Sequence, residues 1–254
     1  MRDLVLEVCV DSVESAIAAQ KGGATRLELC ANLIIGGTTP SPALFDAVRA
    51  AVDIPVNVLI RPRFGDFLYT DSEYSVMLDE IAMFAARGAN AVVIGALCAD
   101  GSLDCEKMRG MISAAGGIRI TMHRAFDVCS DPFKTLEEAI SLGVDTILTS
   151  GQKGSAAEGK SLIGALSERA EGRADILVGG GVSAALIGQF RSEIPDLRAF
   201  HLSGKRVLDS NMIYRNGEVS MGLPGISEFQ VWRTDEEAIR LAYHALFDGR
   251  EVLR

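Results

Sequence analysis

The chain has 254 residues, of which 48% are hydrophobic and 23% charged, with 26 glycines and a formal net charge of −9. That mixture belongs to a globular protein and excludes a disordered or fibrous one, and an acidic chain without a Lys/Arg run is a poor partner for nucleic acid or anionic membrane. No apolar stretch reaches the roughly 18 residues of a membrane span, and MRDLVLEVCVDSVES turns polar too early for a secretory signal, so a cytoplasmic protein is expected.

Short Val/Ile/Leu-rich runs alternate with longer amphipathic stretches, the pattern of βα units around a parallel sheet. The strand LVLEVCV (4–10) precedes a helix near 12–22 opened by Ser12, and RLELCA (26–31) precedes one near 41–52 opened by Ser41 and Pro42. VNVLIRP (56–62) leads to a helix near 72–87, AVVIGAL (91–97) to one near 104–115, and IRITMHR (118–124) to one near 132–142, opened by Asp131 and Pro132. TILTS (146–150), DILVG (175–179) and AFHLS (199–203) precede helices near 158–170, 183–192 and 234–247, the last with Thr234 and Glu237 as a capping box. Gly22, Gly88, Gly143 and Gly172 close helical segments as left-handed caps.

Eight such units, with no linker or charge run between them, predict a single-domain (β/α)8 TIM barrel over residues 1–254. A doubly wound open sheet is the alternative, but DSVES rather than a GxGxxG turn follows the first strand, and no nucleotide cofactor is expected. The stretch 204–233 is too long for an ordinary βα loop. It holds Met212, Tyr214, Met221, Phe229 and Trp232, and is expected to fold over the barrel mouth or to join a homodimer interface. The five cysteines are odd in number and widely spaced, so they read as reduced thiols.

Function in such barrels gathers at the C-terminal ends of the strands. Glu7 and Cys9 share one face of the first strand, and Glu28 and Cys30 repeat the Glu-x-Cys spacing on the second. Arg61 and Arg63 end the third strand; His123, Arg124 and Asp127 end the fifth. Two carboxylates facing two guanidinium groups would form a neutral cluster at the mouth, and Glu7, Glu28, Arg61, Arg63, His123 and Asp127 are the candidate catalytic groups. The competing structural reading is a set of buried ion pairs that only fixes the barrel. Ser150 and Lys153 in LTSGQK, Gly180 and Gly181 in VGGGV and Ser203 in HLSGK join Arg124 as candidate anion-binding residues. Glycine-rich turns after strands seven and eight that lead to a helix N-terminus offer backbone N–H groups to phosphate.

EVCVDSVESA (7–16), RLELCA (26–31), GGTTPS (36–41), IRPRFGDFLYTD (60–71), HRAFD (123–127), LTSGQK (148–153) and GGGV (179–182) together resemble the CutC family of copper homeostasis proteins, in order and over nearly the whole chain. The resemblance implies a TIM barrel and a role in copper homeostasis with Cu(I) as ligand. Phe64 stands where the family's RPRGGDF run has a glycine, leaving both arginines and Asp66 in place.

Two functional readings follow. In the first, Cys9 and Cys30 supply soft thiolates to Cu(I), with His201, Met212 or Met221 completing the site, against the common fate of free cysteine as a small core residue. In the second, the barrel is an enzyme acting on a small anionic or phosphorylated metabolite by acid/base, lyase, isomerase or hydrolase chemistry. There Glu7, Glu28 or His123 moves protons, Arg61 and Arg63 hold anionic groups, and Lys153 is either an electrophile or a solvated loop cation. A scaffold built on 204–233 would leave the charged mouth without a role.

Overall fold

The computed structural model describes residues 3–219, 221, 222 and 225–248. Eight parallel strands close a barrel: β1 (Val5–Val10), β2 (Arg26–Leu29), β3 (Val56–Leu59), β4 (Ala91–Ile94), β5 (Arg119–Met122), β6 (Thr146–Thr149), β7 (Asp175–Val178) and β8 (Ala199–Leu202), with β8 pairing back onto β1. Between and after them run α1 (Val13–Lys21), α2 (Pro42–Ala51), α3 (Asp71–Ala86), α4 (Cys105–Ala114), α5 (Pro132–Leu142), α6 (Lys160–Ala170), α7 (Ala184–Glu193) and α8 (Glu236–Phe247). This is the (β/α)8 barrel that the alternation of elements predicts. No described helix is long and apolar enough to cross a membrane.

Strand alternation sorts each segment into two layers. Leu6, Val8 and Val10 turn outward with Leu27, Leu29 and Val58 and pack against helix residues such as Phe45 and Phe84. Inside the barrel, Val5 packs with Leu148, Leu177 and Ala199, while Cys9 packs with Cys30, Leu59 and Val93. Between those apolar groups lies a polar layer holding buried Glu7, Arg26 and Asn57.

Local signals set the helix starts. Ser12 and Ser41 accept from Ser15 N and Leu44 N, and Asp131 accepts from Phe133 N and Lys134 N, each satisfying an otherwise unpaired first-turn donor. Thr70 and Glu73 form a full capping box for α3. The capping residue of α8 is Asp235 and not Thr234, because Thr234 is still extended as the last residue of a strand. At the end of α1, Gly22 is right-handed (φ −74°) and Gly23 takes the positive φ of 99°, one position later than the sequence suggests.

The stretch after β8 is more regular than expected. β9 (Lys205–Asp209) and β10 (Gln230–Thr234) form an antiparallel ribbon, with Val207 opposite Trp232. Thr234 N donates to Ser15 Oγ at 3.2 Å and Asp235 N donates to Gly204 O, which fastens the ribbon base to α1 beside the mouth. A ribbon therefore follows strand eight, not the helix N-terminus that an anion cradle there requires.

The loop after β6 closes onto the start of α6. A Cβ at Gly159 would fall 1.9 Å from the Ser150 carbonyl oxygen, a backbone atom that cannot swing aside as a side chain could. Gly159→Ala is expected to lower stability by about 2 kcal/mol or more. Gly188→Ala in α7, where an added Cβ meets nothing within 4 Å, should be neutral or stabilising by up to about 1 kcal/mol. Chemical denaturation of both variants checks this, and equal stabilities would contradict it.

Candidate functional site

A cavity of about 410 Å³ opens at the C-terminal end of the barrel, within the size range of small-molecule sites. Cys9, Glu28 and His201 line it from β1, β2 and β8; Arg61, Phe67, His123 and Arg124 line it from the segments after β3 and β5. The ribbon contributes Lys205, Trp232, Arg233 and Thr234. Residues at both ends of 204–233 thus reach the mouth, while Met212, Tyr214 and Met221 are exposed.

Beneath the cavity, the Glu7 carboxylate accepts from Arg26 Nε at 2.5 Å and Asn57 Nδ2 at 3.0 Å, and its other oxygen lies 2.8 Å from His201 Nδ1. Asn90 Nδ2 donates to Asn57 Oδ1 at 2.7 Å, extending the network one step further. Burial alone would raise the Glu7 pKa, but Arg26 and His201 outweigh it and hold the carboxyl at about 2. Glu28 moves the opposite way, because burial and the Glu7 charge outweigh the favourable His201.

The cation that balances Glu7 is Arg26, not Arg61 or Arg63. Arg26 stands two residues before Glu28, in the same strand phase, so alternation points to it. Arg63 turns away from the barrel to Glu73 (2.5 Å) and Asp66 (2.9 Å). Arg61 donates to three backbone carbonyls, those of Gly36, Gly37 and Gly65, and lies 5.1 Å from the Phe67 ring centre.

With Nδ1 held by Glu7, His201 turns Nε2 toward Glu28 Oε2, 3.8 Å away. Cys9 Sγ, a Glu28 oxygen and a His201 nitrogen all lie within 4.8 Å of one another, the one such donor group among the described residues. Burial opposes a charge on His201, yet Cys9, Glu28 and Glu7 keep its pKa well above the ordinary value. Cys30 stands outside this group. Its buried thiol donates to Glu28 Oε2 at 3.4 Å, and burial with the Glu28 charge pushes its pKa well up.

His123 sits apart, buried under Phe67 with ring centres 4.8 Å apart. Its Nδ1 accepts from Ala125 N at 3.2 Å, which leaves the proton on Nε2. Burial, reinforced by Arg61, lowers its pKa to about 3, so the ring is neutral. Asp127 is a structural clamp in geometry: it accepts from Thr149 Oγ1, Ser150 N, Gln152 N and Arg124 Nε. Ser150 is fully buried beside it, 2.7 Å from Arg124 Nη2. Ser203 lines the cavity, whereas Gly180, Gly181 and the exposed Lys153 do not. Gly180 O accepts from Ala156 N.

The sequence model of the CutC family matches residues 4–205. A Parabacteroides distasonis protein called family protein CutC is 44% identical over 93% of this chain and 98% of its own length. A Homo sapiens protein named copper homeostasis protein cutC homolog is 43% identical over 93% of this chain and 86% of its own. The Streptococcus agalactiae CutC crystal structure superposes with a TM-score of 0.74 at 32% identity, covering 79% of this chain and 98% of that one. A structure titled QR15, an aldolase, shares the fold alone, at 17% identity and a TM-score of 0.58.

The depressed His123 pKa has a measurable consequence. As pH falls from 6.5 toward about 3, the unfolded chain takes up a proton that the folded one refuses, so stability drops across that window. Glu7 adds a loss of the same sign between 4.5 and about 2, while His201, with its raised pKa, acts in the opposite sense, stabilising at low pH and ceasing to as pH rises. His123→Asn is expected to flatten the acid limb by at most about 1.4 kcal/mol per pH unit. Denaturant midpoints from pH 7 to 4 read this, and parallel curves for the two proteins would contradict it.

Proposed function

The chain belongs to the CutC family, and from that premise we propose that it serves copper homeostasis by binding one Cu(I) ion between Cys9 and His201. The observation carrying this reading is the mutual approach of Cys9 Sγ, Glu28 and His201 within 4.8 Å on the cavity wall. Thiolate and imidazole are the soft and borderline donors that Cu(I) takes, and the carboxylate is too hard to lead the coordination. Glu28, its pKa raised by burial and its Oε2 3.8 Å from His201 Nε2, takes up the one proton that the imidazolium gives up, while the proton of the thiol passes to solvent.

Glu7 completes the arrangement from behind. It holds His201 Nδ1–H at 2.8 Å, fixing the tautomer whose Nε2 lone pair faces the cavity, as carboxylates commonly do behind a metal-bound histidine. The human relative's name, copper homeostasis protein cutC homolog, supports the same reading. Five free cysteines suit a reducing cytoplasm. Exposed Met212, Ile213, Tyr214 and Met221 favour a homodimer in which a second copy covers this stretch.

Anaerobic Cu(I) titration of the reduced protein against a competing chelator tests the proposal. Binding near one ion per chain is expected, lost in Cys9→Ser and weakened by about 10- to 100-fold in Glu7→Gln, whose role is to orient the histidine. Cys30→Ser, which lies outside the donor group, should retain binding. Loss confined to Cys30→Ser, or no loss in Cys9→Ser, would refute it. Sedimentation velocity reads the dimer, and a monomer at micromolar concentration would overturn that part.

A further inference from the structure

Beyond the copper reading, and independently of it, the cavity carries a second chemical signature. Arg61 Nε, His123 Nε2 and Trp232 Nε1 are buried side-chain nitrogens with no partner among the described residues, and all three residues line this cavity. Each is a donor. An indole nitrogen only donates, a guanidinium has no acceptor, and His123 is fixed as the Nε2–H tautomer by the Ala125 N–H that its Nδ1 accepts. Leaving such a group buried without an acceptor costs about 1–3 kcal/mol, so three on the residues of one cavity wall call for an acceptor-rich occupant.

The charges agree with the donors. Arg61 has five N–H groups and spends three on the carbonyls of Gly36, Gly37 and Gly65. It makes no ion pair among the described residues, so its positive charge is met by backbone dipoles and the Phe67 ring face and by no carboxylate. Lys205 Nζ lies 3.6 Å from the Trp232 ring centre, adding a second cation beside the indole. Asp11 and Glu28 are the acidic residues of the lining, and Glu28 stands on the His201 side of it.

We propose that the cavity binds a small oxyanion-bearing metabolite, its carboxylate or phosphate group lying among Arg61, His123 and Trp232. Arg61 supplies charge and two free N–H donors, and neutral His123 and Trp232 supply one hydrogen bond each. The ribbon of β9 and β10 is then part of the binding site, because it brings Lys205 and Trp232 over residues that follow β3 and β5. A volume of about 410 Å³ suits a metabolite and not a segment of a macromolecule.

Trp232 is the chain's single tryptophan, so nitrogen-15-labelled protein gives one indole N–H cross-peak. Metal-free protein is titrated with inorganic phosphate and, separately, with malonate. The expected result is a saturable downfield movement of that peak with at least one probe. A phosphate response assigns a phosphorylated ligand, and a malonate response a carboxylate. Arg61→Lys, which keeps the charge but not the Nε donor, and His123→Leu should each weaken the response by about tenfold. Thermal denaturation identifies which variants fold, and either one alone suffices. No saturable movement with either probe, or unchanged affinity in the folded variants, overturns the proposal. Because no copper is present, that outcome leaves the Cu(I) reading standing.

Discussion

The Glu7 carboxylate is the constraint on which this site depends. It is wholly buried in the barrel interior, where a lone charge would be prohibitive, and it survives because donors from three other strands meet it. Arg26 of β2, Asn57 of β3 and His201 of β8 all close on this one group from β1. Removing one partner of such a pair typically costs about 3–5 kcal/mol. The same bonds align β8 with β1, the seam where the barrel closes, so the network that permits the charge also fixes the histidine that faces the cavity.

Above that layer, one cavity joins two chemistries. On the β1, β2 and β8 side stand a thiol, a carboxyl group and an imidazole close enough to share one ion. On the β3 and β5 side, and from the ribbon, come N–H donors and a guanidinium that no carboxylate balances among the described residues. The two histidines divide along the same line. His201 is surrounded by acceptors and its pKa rises; His123 is buried beside Arg61 and its pKa falls to about 3. Neighbours, not residue type, decide which ring is charged.

Much of this was legible in the chain. The strand and helix alternation reads directly as the barrel, since period and punctuation are local properties, and Glu7, Cys9, Glu28 and His201 all stand out as chemically active residues at strand positions. Non-local partners are what the chain alone does not reveal. Arg61-Pro-Arg63 looks like the natural counter-charge to two glutamates, yet Arg61 is drawn to loop carbonyls and Arg63 to Glu73 and Asp66. Arg26 is the counter-charge instead, at the opening of its strand, and its spacing from Glu28 sets it on the inward face. The ribbon is not legible in the chain because its strands lie some twenty residues apart, and no sequence period links Lys205 to Thr234.

The central claim is that Cys9 and His201, with Glu7 behind, form the metal-binding pair. Anomalous diffraction at the copper edge, from crystals of reduced protein loaded with Cu(I) without oxygen, tests it most directly. The account predicts one dominant peak between Cys9 Sγ and His201 Nε2. A peak at Cys98 or Cys105, or none on the cavity wall, would contradict it.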